Sequence, residues 1–315
     1  MRIGQNPAKF VKAVAAPERV TAAVLNYIPM VSGYYRDLPD VLRTCLESLR
    51  AGADVPFDLL VFDNGSCPEV QDWLLGEQRA GRIQYLILSQ KNLGKGGAWN
   101  MILDGAPGEI IAYADNDVLF HPGWLSASLR LLETFPNVGM VTARPFRTNP
   151  DYYTRTVAWA EGDPQAGVER GHFIPFETFL EFDRSLGQSD EEIRAHYDAS
   201  QDVRLTYQGV GALAGASHWQ FIAYKQVLKQ FLPFSMDRPM GQVKQLDQRI
   251  NDAGLLRLMP EQPYVMNLSN TLRGVSQPAQ VNAPAVRHRW LDLPPVRKVL
   301  LSIYDRIFRW YYDRS

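Results

Sequence analysis

The first half of the chain alternates between short apolar runs and amphipathic segments, which is the pattern of strands and helices in turn. Apolar runs predict buried strands at 20–27, 57–62, 83–88 and 109–114. The spacing between them predicts a helix that opens at Pro39, a second over 69–79 and a third from about Ala98. Strands and helices that alternate at this interval connect through right-handed crossovers. We therefore expect an α/β fold with one mainly parallel sheet and helices on both faces.

The second half of the chain is less regular. A predicted helix over 124–135 and a strand over 138–142 precede a stretch without clear periodicity, from Pro145 to about Gly209. This stretch is rich in aromatic residues, and long irregular segments of this kind are usually binding segments, lids or insertions. Strand-like sequence returns over 209–224, and 241–253 has a helical pattern that stops at Gly254.

Composition and charge narrow the class of protein. The chain has 315 residues, of which 46% are hydrophobic and 21% charged, as in a folded globular protein. Its net charge of −1 gives no electrostatic reason to expect nucleic acid as a partner. Two cysteines, Cys45 and Cys67, make no disulfide framework and fit a reducing compartment. Residues 1–17 lack the apolar core of a signal peptide and no other stretch is a transmembrane candidate, so we expect a cytoplasmic protein.

Two carboxylates follow the fourth predicted strand, in the sequence Asp115-Asn116-Asp117. Ligands of open α/β sheets collect beyond the carboxyl ends of the parallel strands. With nothing basic beside them, two acids at this spacing repel each other unless a cation lies between them. Mg²⁺ or Mn²⁺ carrying a substrate diphosphate suits such oxygen ligands, although Asp and Asn also favour an ordinary strand-end turn.

Polar sequences also follow the second and third predicted strands. Residues 63–66, Asp-Asn-Gly-Ser, offer a carboxylate that can accept the ring N–H of a uracil or guanine, or can form an Asx turn that caps the next helix. Residues 92–97, Asn-Leu-Gly-Lys-Gly-Gly, combine the point charge of Lys95 with glycines that let a ligand approach the backbone. Their spacing fits neither a P-loop nor a dinucleotide fingerprint, and a simple loop-to-helix turn is the alternative.

The three motifs together are more specific than each alone, because they occur in order at successive strand ends, with Asn100 in the helix that follows the second. The set resembles the family-2 glycosyltransferases of GT-A fold, strongly over 20–142 and more loosely to about Gly254. The resemblance implies that Asp63 contacts the nucleobase, that Asp117 binds the metal on the diphosphate, and that Asp115 contacts the ribose or the metal's water shell. The residues expected to hold the nucleotide-sugar are Asn26, Tyr27, Asp63, Asn92, Gly94, Lys95, Asp115 and Asn116, with Asp117 and Asp115 as ligands of Mn²⁺ or Mg²⁺.

The resemblance also implies a catalytic base ahead of an Arg on a helix that ends in Gly. Asp247 is the candidate, although it lies closer to Arg249 than the family pattern has it, and Asp237 is a rival. Residues 215–218, Gly-Ala-Ser-His, are similar to the acceptor-side strand of the family, where small residues leave room for a sugar. The expected domains are an N-terminal arm (1–19), a nucleotide-sugar half (20–143), an acceptor and base half with the aromatic insertion (144–275), and a C-terminal tail (276–315).

The histidines of the chain show no metal-ligand spacing among themselves, His218 included. Many members of the family have a His after the base helix that completes the metal site. This chain has Asn267 and Asn270 in that region and His288 only later, which leaves the third protein ligand open.

The function that the resemblance implies is metal-dependent transfer, with inversion, of a sugar from a nucleoside-diphosphate sugar to a hydroxyl of a glycan or lipid-linked acceptor, with UDP favoured as the nucleotide. One alternative is a sugar-1-phosphate nucleotidyltransferase, but residues 28–33 are a poor version of the glycine-rich loop that it requires. The other is a non-catalytic protein that binds nucleotide-sugars, for which the irregular base motif is the best argument.

The last predicted element is an amphipathic helix over 295–314, with an apolar stripe that includes Leu300 and Trp310 and basic residues around it. Basic and aromatic residues beside an apolar stripe are typical of a peripheral contact with the inner face of the plasma membrane. The same stripe is compatible with a homodimer contact or with packing on the enzyme's own domain.

Overall fold

A computed structural model describes residues 4–237, 244–272 and 306. The α-helices of residues 4–237 and 244–272, which lie in the first unit of the chain (Met1–Arg273), are α1 (Leu38–Gly52), α2 (Pro68–Arg79), α3 (Gly94–Gly105), α4 (Trp124–Thr134), α5 (Thr154–Gly162), α6 (Phe176–Ser185), α7 (Asp190–Ala199), α8 (Lys225–Lys229) and α9 (Lys244–Asp252). Its strands are β1 (Val20–Asn26), β2 (Asp58–Asp63), β3 (Tyr85–Leu88), β4 (Ile110–Asp115), β5 (Val118–Phe120), β6 (Val138–Val141), β7 (Ala166–Gly171), β8 (Asp202–Tyr207), β9 (Val210–Ala214), β10 (Gln220–Tyr224), β11 (Leu256–Met259) and β12 (Val265–Asn267).

One ten-stranded sheet organises the described residues, in the order β3-β2-β1-β4-β10-β6-β11-β9-β8-β7. The first four strands of that order are parallel to one another, as the alternation of strands and helices predicts. Every residue of β1 is buried, which requires cover on both faces of the sheet. The predicted α/β sheet with helices on both faces is confirmed.

Antiparallel strands extend the sheet beyond β4. β10 is antiparallel to both β4 and β6, and the β7-β8-β9 ribbon closes the far edge against β11. β6 and β11 run parallel to each other. A second, small sheet pairs β5 with β12 and so brings residues 265–267 back beside the chain that follows β4.

Helix α1 shows how the sequence specifies one of the covering layers. Pro39 lies in its first turn, where a missing backbone N–H costs nothing. The larger apolar residues then recur at helical spacing and are buried, Cys45 among them, as the sequence pattern indicates. The Cys45 thiol lies 3.8 Å from the carbonyl oxygen of Asp115, so this helix packs directly behind the end of β4.

The stretch after Pro145, for which the sequence pattern predicts no regular structure, is regular. It contains α5, β7, α6, α7 and β8, so the prediction of an irregular segment is wrong. The Arg147 guanidinium joins its parts: it donates to Asp202 Oδ1 at 2.7 Å and to the Tyr197 carbonyl at 2.6 Å. Its side chain and that of Asp202 are 6% and 2% exposed, so this is a buried ion pair that connects separate parts of the insertion.

The amphipathic helix predicted over 295–314 lies in the second unit of the chain, Gly274–Ser315, of which only Arg306 is described. That prediction and His288 therefore fall outside the described residues. Within the part of the chain that the structure describes, no helix combines the length and the apolar character needed to cross a bilayer.

Candidate functional site

The carboxyl edge of the parallel strands collects the predicted polar residues. Asn26, Asp63 and Asp115 are the last residues of β1, β2 and β4. The strand register sets Asn26 beside Asp63 on one side and Leu25 beside Asp115 on the other. The structure thus brings the first and last motifs to one edge, as predicted.

Asp63 is fully buried, and its carboxylate is already occupied by the protein. Oδ1 accepts from Asn26 Nδ2 at 2.8 Å, and Oδ2 accepts from the Ser66 backbone N–H at 3.0 Å and from Gln71 Nε2 at 2.9 Å. A buried carboxylate needs such donors, because burying an ionised group without hydrogen-bond partners would cost on the order of several kcal/mol. Gln71, on α2, is a partner that the sequence pattern does not reveal.

The Asn26 amide links three strand ends into one hydrogen-bonded network. Its Nδ2 donates to Asp63 and, at 3.0 Å, to Ser66 Oγ, while its Oδ1 accepts from Asn116 Nδ2 at 2.7 Å. Ser66 Oγ also accepts the backbone N–H of Ile28 at 2.9 Å. Since every donor and acceptor of the Asn26 side chain is used, the network fixes its orientation and holds residues 63–66 and 115–117 in register.

The second motif forms the start of α3, with Asn64 and Asn92 holding the turn. Asn64 Nδ2 donates to Asn92 Oδ1 at 3.0 Å, and Asn92 Oδ1 accepts the Gly94 N–H at 2.8 Å. Gly94 has a φ of +67°, a left-handed conformation that favours glycine. Asn92 and Gly94 therefore shape the loop beside the site, and their contact with a nucleotide-sugar stays a prediction.

Gly96 and Gly97 are packed against other parts of the protein. Their sequence pattern instead suggests that a ligand approaches the backbone there. A Cβ at Gly96 would lie 2.4 Å from the Ser235 carbonyl oxygen, and one at Gly97 would lie 2.8 Å from the Leu93 Cβ. Asn100, the next polar residue of the helix, holds the same segment by two hydrogen bonds to the backbone of Phe234. Residues 234–236 therefore run against α3.

The expectation that no basic group lies beside the Asp115-Asn116-Asp117 carboxylates is wrong, because Lys95 lies beside them. Its Nζ contacts Asp115 Oδ2 at 2.7 Å, and the buried Tyr113 hydroxyl donates to Asp115 Oδ1 at 2.6 Å. Desolvation, with the charge of Asp115 as the next cause, raises the pKa of the Tyr113 phenol well above its ordinary value, so this hydroxyl stays a donor. The cation comes from a different strand end, which explains why proximity in sequence does not show it.

The negative charge of Asp117 is less compensated by neighbouring groups than that of Asp115. Burial, together with the charge of Asp115, raises the pKa of Asp117 to about 7, and Lys95 offsets only part of this. Its backbone oxygen accepts the Leu268 N–H at 2.7 Å, so the chain after β12 lies against it. A carboxylate that burial and a like charge push toward protonation is one that a divalent cation would stabilise, which fits the metal-ligand assignment.

The third protein ligand of a metal site is not in place among the described residues. No group of three His, Cys, Asp or Glu in 4–237 and 244–272 is arranged to hold a metal. Asn267 Oδ1 accepts the Ser269 N–H at 2.7 Å, and Asn270 Nδ2 donates to the Tyr34 carbonyl at 3.2 Å. Two carboxylates still suit Mg²⁺ or Mn²⁺, which are commonly bound by one or two acids together with substrate phosphates and water.

The candidate base Asp247 is buried between two partners. Its Oδ2 lies 2.6 Å from His218 Nδ1, and its Oδ1 lies 2.5 Å from Arg257 Nη2. The same guanidinium donates to the carbonyls of Tyr152, at 2.7 Å, and of Ala216. His218 lies in the 215–218 motif, but its contact with Asp247 and the role of Arg257 are not evident from the sequence, because these residues lie on a loop and a strand distant in sequence from Asp247. The rival Asp237 is exposed, and its backbone N–H donates to Ser235 Oγ at 3.4 Å.

Comparison with known proteins gives the family. The sequence model described as glycosyl transferase family 2 matches residues 31–186. Over 110 residues the chain is 31% identical to the succinoglycan biosynthesis protein ExoW of Rhizobium meliloti, a segment that is 34% of each chain. Over 89 residues it is 30% identical to the putative glycosyltransferase EpsH of Bacillus subtilis, covering 28% of this chain and 26% of that one. The match assigns residues 31–186 to glycosyltransferase family 2, and the chain matches about a third of the length of these curated relatives.

Two solved structures match most of this chain at low sequence identity. The mannosyltransferase PcManGT of Pyrobaculum calidifontis, in complex with GDP-Man and Mn²⁺, gives a TM-score of 0.47 at 18% identity over 78% of this chain and 55% of that one. S. aureus TarS 1–349 in complex with UDP gives 0.44 at 14% identity over 79% and 60%. The expected α/β class, with helices covering a large central sheet, is confirmed by the sheet described above.

Proposed function

We propose that the protein transfers a sugar, with inversion, from a nucleoside-diphosphate sugar to a hydroxyl of a glycan or lipid-linked acceptor. The observation that carries this proposal is the network through Asn26, which joins the ends of β1, β2 and β4 at the edge where Asp115 and Asp117 lie. The match to family 2 supports sugar transfer over sugar-1-phosphate nucleotidyl transfer. The succinoglycan biosynthesis protein among the relatives supports a polysaccharide or its lipid-linked precursor as acceptor.

The donor's nucleotide would lie along the end of β1 and β2, with Tyr27 and the 63–66 turn beside the base. Because Asp63 is fully engaged in the protein, its main effect is to fix Asn26 and Ser66, and a nucleobase N–H would have to join or replace one of its present donors. Lys95 would place a positive charge near the diphosphate from the start of α3. UDP remains the nucleotide we favour.

Asp117, with Asp115 beside it, would hold Mn²⁺ or Mg²⁺, and the bound ion supplies Lewis-acid neutralisation of the departing diphosphate. The protein's own part is to keep both carboxylates close and to hold Asp115 through Lys95 and Tyr113. The proposal places the acceptor hydroxyl on the side of His218 and Asp247, where its proton has to be taken up.

The test measures release of free nucleoside diphosphate from a panel of UDP-, GDP- and dTDP-linked sugars with Mn²⁺, using octyl glycosides as soluble acceptors. A glycosyltransferase releases the nucleotide in step with formation of the glycosylated product. A nucleotidyltransferase would instead exchange pyrophosphate with the panel, and a non-catalytic binder would show thermal stabilisation by UDP and Mn²⁺ without release. Either of these results would overturn the proposal.

A further inference from the structure

His218 lies at the same edge of the sheet as the Asp115–Asp117 motif. β10 pairs antiparallel with β4, with Gln220 opposite Ala114. The pairing extends past the strand, because the Asp115 N–H donates to the Trp219 carbonyl at 2.9 Å. His218 lies in the tight turn that the Ser217–Gln220 bridge closes, one residue before Trp219. The turn that carries His218 therefore adjoins the backbone of the motif at Asp115.

Asp247 and His218 differ in their access to a substrate. The Asp247 side chain is 4% exposed and that of Arg257 is fully buried, whereas the His218 side chain is 21% exposed. Each Asp247 oxygen has a partner, one in Arg257 and one in His218. A hydroxyl that reached Asp247 would have to displace one of them, while the imidazole can be approached directly.

The contacts also determine which nitrogen of His218 carries the proton. The carboxylate of Asp247, paired with Arg257, can only accept a hydrogen bond, so His218 Nδ1 must be the donor. In the neutral ring this leaves the lone pair on Nε2. An acid that orients an imidazole in this way also stabilises the imidazolium formed when the ring takes up a proton.

The surroundings hold this pair in place. The Ser217 N–H donates to Thr142 Oγ1 at 2.8 Å, which ties the turn before His218 to the end of β6. On the other side the Trp219 indole stacks on Phe182 of α6, with ring centroids 5.6 Å apart. The insertion thereby fixes the corner that carries His218, and an oriented group is what proton transfer in a transition state requires.

We propose that His218, not Asp247, accepts the proton of the acceptor hydroxyl, and that Asp247 and Arg257 are positioning residues. This rests on the proposed function. The acceptor oxygen forms a bond to the anomeric carbon while the bond from that carbon to the diphosphate oxygen breaks. The diphosphate leaves with the electron pair, the hydroxyl proton passes to His218 Nε2, and Nδ1 keeps its hydrogen bond to Asp247.

The experiment compares the wild type with His218→Gln, His218→Ala and the control His196→Gln, which changes an exposed histidine of α7. Nucleotide release in the octyl-glycoside assay should fall about a hundredfold or more in both His218 variants. Affinity for UDP with Mn²⁺ and the melting temperature should stay close to the wild type. Added imidazole should restore part of the rate in His218→Ala but not in His218→Gln, where no space is vacated.

The outcomes separate this assignment from its rivals. Asp247→Asn lowers the rate under either assignment, since its amide would turn the oxygen to Arg257 and the NH₂ to His218, forcing the ring proton onto Nε2. A near wild-type rate in His218→Gln would overturn the His218 assignment alone. Loss of Mn²⁺-dependent UDP binding in that variant would make His218 a metal ligand instead. Absence of release from the wild type with every donor would overturn the proposed function, and this assignment with it.

Discussion

The Asn26 amide donates to Asp63 Oδ1 over 2.8 Å, and both side chains are fully buried at the ends of adjacent parallel strands. A buried amide hydrogen-bonded to a buried carboxylate has one orientation, because its NH₂ must face the acid. Its oxygen then faces Asn116 at 2.7 Å. The carboxylate of Asp63 therefore determines how the loop that carries Asp115 and Asp117 is held, even though it does not touch either acid.

The first prediction follows from the three donors that converge on Asp63. In Asp63→Asn at least one of these donors faces the NH₂ group of the new amide and loses its acceptor. We therefore expect the free energy of unfolding to fall by about 1–3 kcal/mol and the affinity for UDP to fall at least tenfold. Asp58→Asn, at the other end of β2, is the matched control: Asp58 accepts the Glu18 N–H at 2.9 Å but lies away from the site. Urea denaturation and UDP titration measure both effects, and equal losses in the two variants would contradict the network's role.

Part of the site could be predicted from sequence, for a physical reason. A strand buried on both faces is a continuous apolar run, so its end is marked by the first polar residues, and parallel strands bring those ends together. Asp63 and Asp115 are found in this way. Side chains that meet across strands are not, since register and rotamer decide them: Lys95 with Asp115 and His218 with Asp247 leave no local signal.

The helices of the insertion are harder to predict from hydrophobic spacing because they bury few apolar residues. Helix α7 buries only Ile193 among its described residues. A different signal was present in the sequence, the capping box of Ser189 and Glu192, whose side chains satisfy the first backbone N–H groups of α7. Turn and cap chemistry would have placed this helix where hydrophobic spacing could not.

The second prediction concerns the pKa of Asp117, which burial and Asp115 raise to about 7. An unfolded Asp has a pKa of about 3.9, so between about pH 4 and 7 the unfolded chain has released a proton that the folded protein still holds. The free energy of unfolding contributed by this group therefore falls as the pH rises through that window. Asp117→Asn removes the penalty. The full shift would correspond to about 4 kcal/mol, but Asp117 is only partly buried and solvent screens its charge, so we expect the variant to stabilise the metal-free protein by about 1–2 kcal/mol at pH 8 and by much less at pH 4.5.

Melting curves at the two pH values test this, with Asp198→Asn on the exposed surface of α7 as control. The same variant should lose the Mn²⁺-dependent part of UDP binding, because an amide is a poor ligand for the ion. In the wild type that part should weaken as the pH falls below about 7. If the stability difference between Asp117→Asn and the wild type is the same at both pH values, the carboxyl does not titrate in this range.

The third prediction is that Lys95 serves both the acids and the donor. Its charge lowers the pKa of Asp117, so Lys95→Met should move the midpoint of Mn²⁺-dependent UDP binding to higher pH. It also leaves Asp115 without its ion-pair partner and removes a charge near the diphosphate, so UDP affinity should fall several-fold at pH 8. Lys91→Met, at an exposed position of the same loop, should change neither quantity. Tighter UDP binding in Lys95→Met would mean that Lys95 competes with the metal for Asp115.

The fourth prediction assigns Trp159 to packing. Its ring lies edge-on to Tyr207 and Phe135, with centroids 5.4 Å and 6.0 Å apart, so it joins α5 to the β8 strand and to the end of α4. Trp159→Ala should lower the unfolding free energy by about 1–3 kcal/mol, less than for a fully buried Trp because the side chain is partly exposed. The acceptor KM should stay within about twofold of the wild type, since packing alone does not change acceptor affinity. A raised KM without loss of stability would instead make Trp159 an acceptor contact.

The last prediction compares two glycines of α3 that have different surroundings. A Cβ at Gly96 would lie 2.4 Å from the Ser235 carbonyl oxygen, a backbone atom that cannot give way without moving residues 234–237. A Cβ at Gly105 would meet nothing within 4 Å. Gly96→Ala should therefore destabilise the protein by about 1–3 kcal/mol through overpacking, while Gly105→Ala should stabilise it by about 0.4–1 kcal/mol by restricting the unfolded chain. Because residues 234–236 run against the first turn of α3, which carries Lys95, Gly96→Ala should also weaken UDP binding, and Gly105→Ala should not. Thermal melts and UDP titration of both variants decide the point: equal signs of the two stability changes would show that the contact between α3 and Ser235 is not maintained in solution.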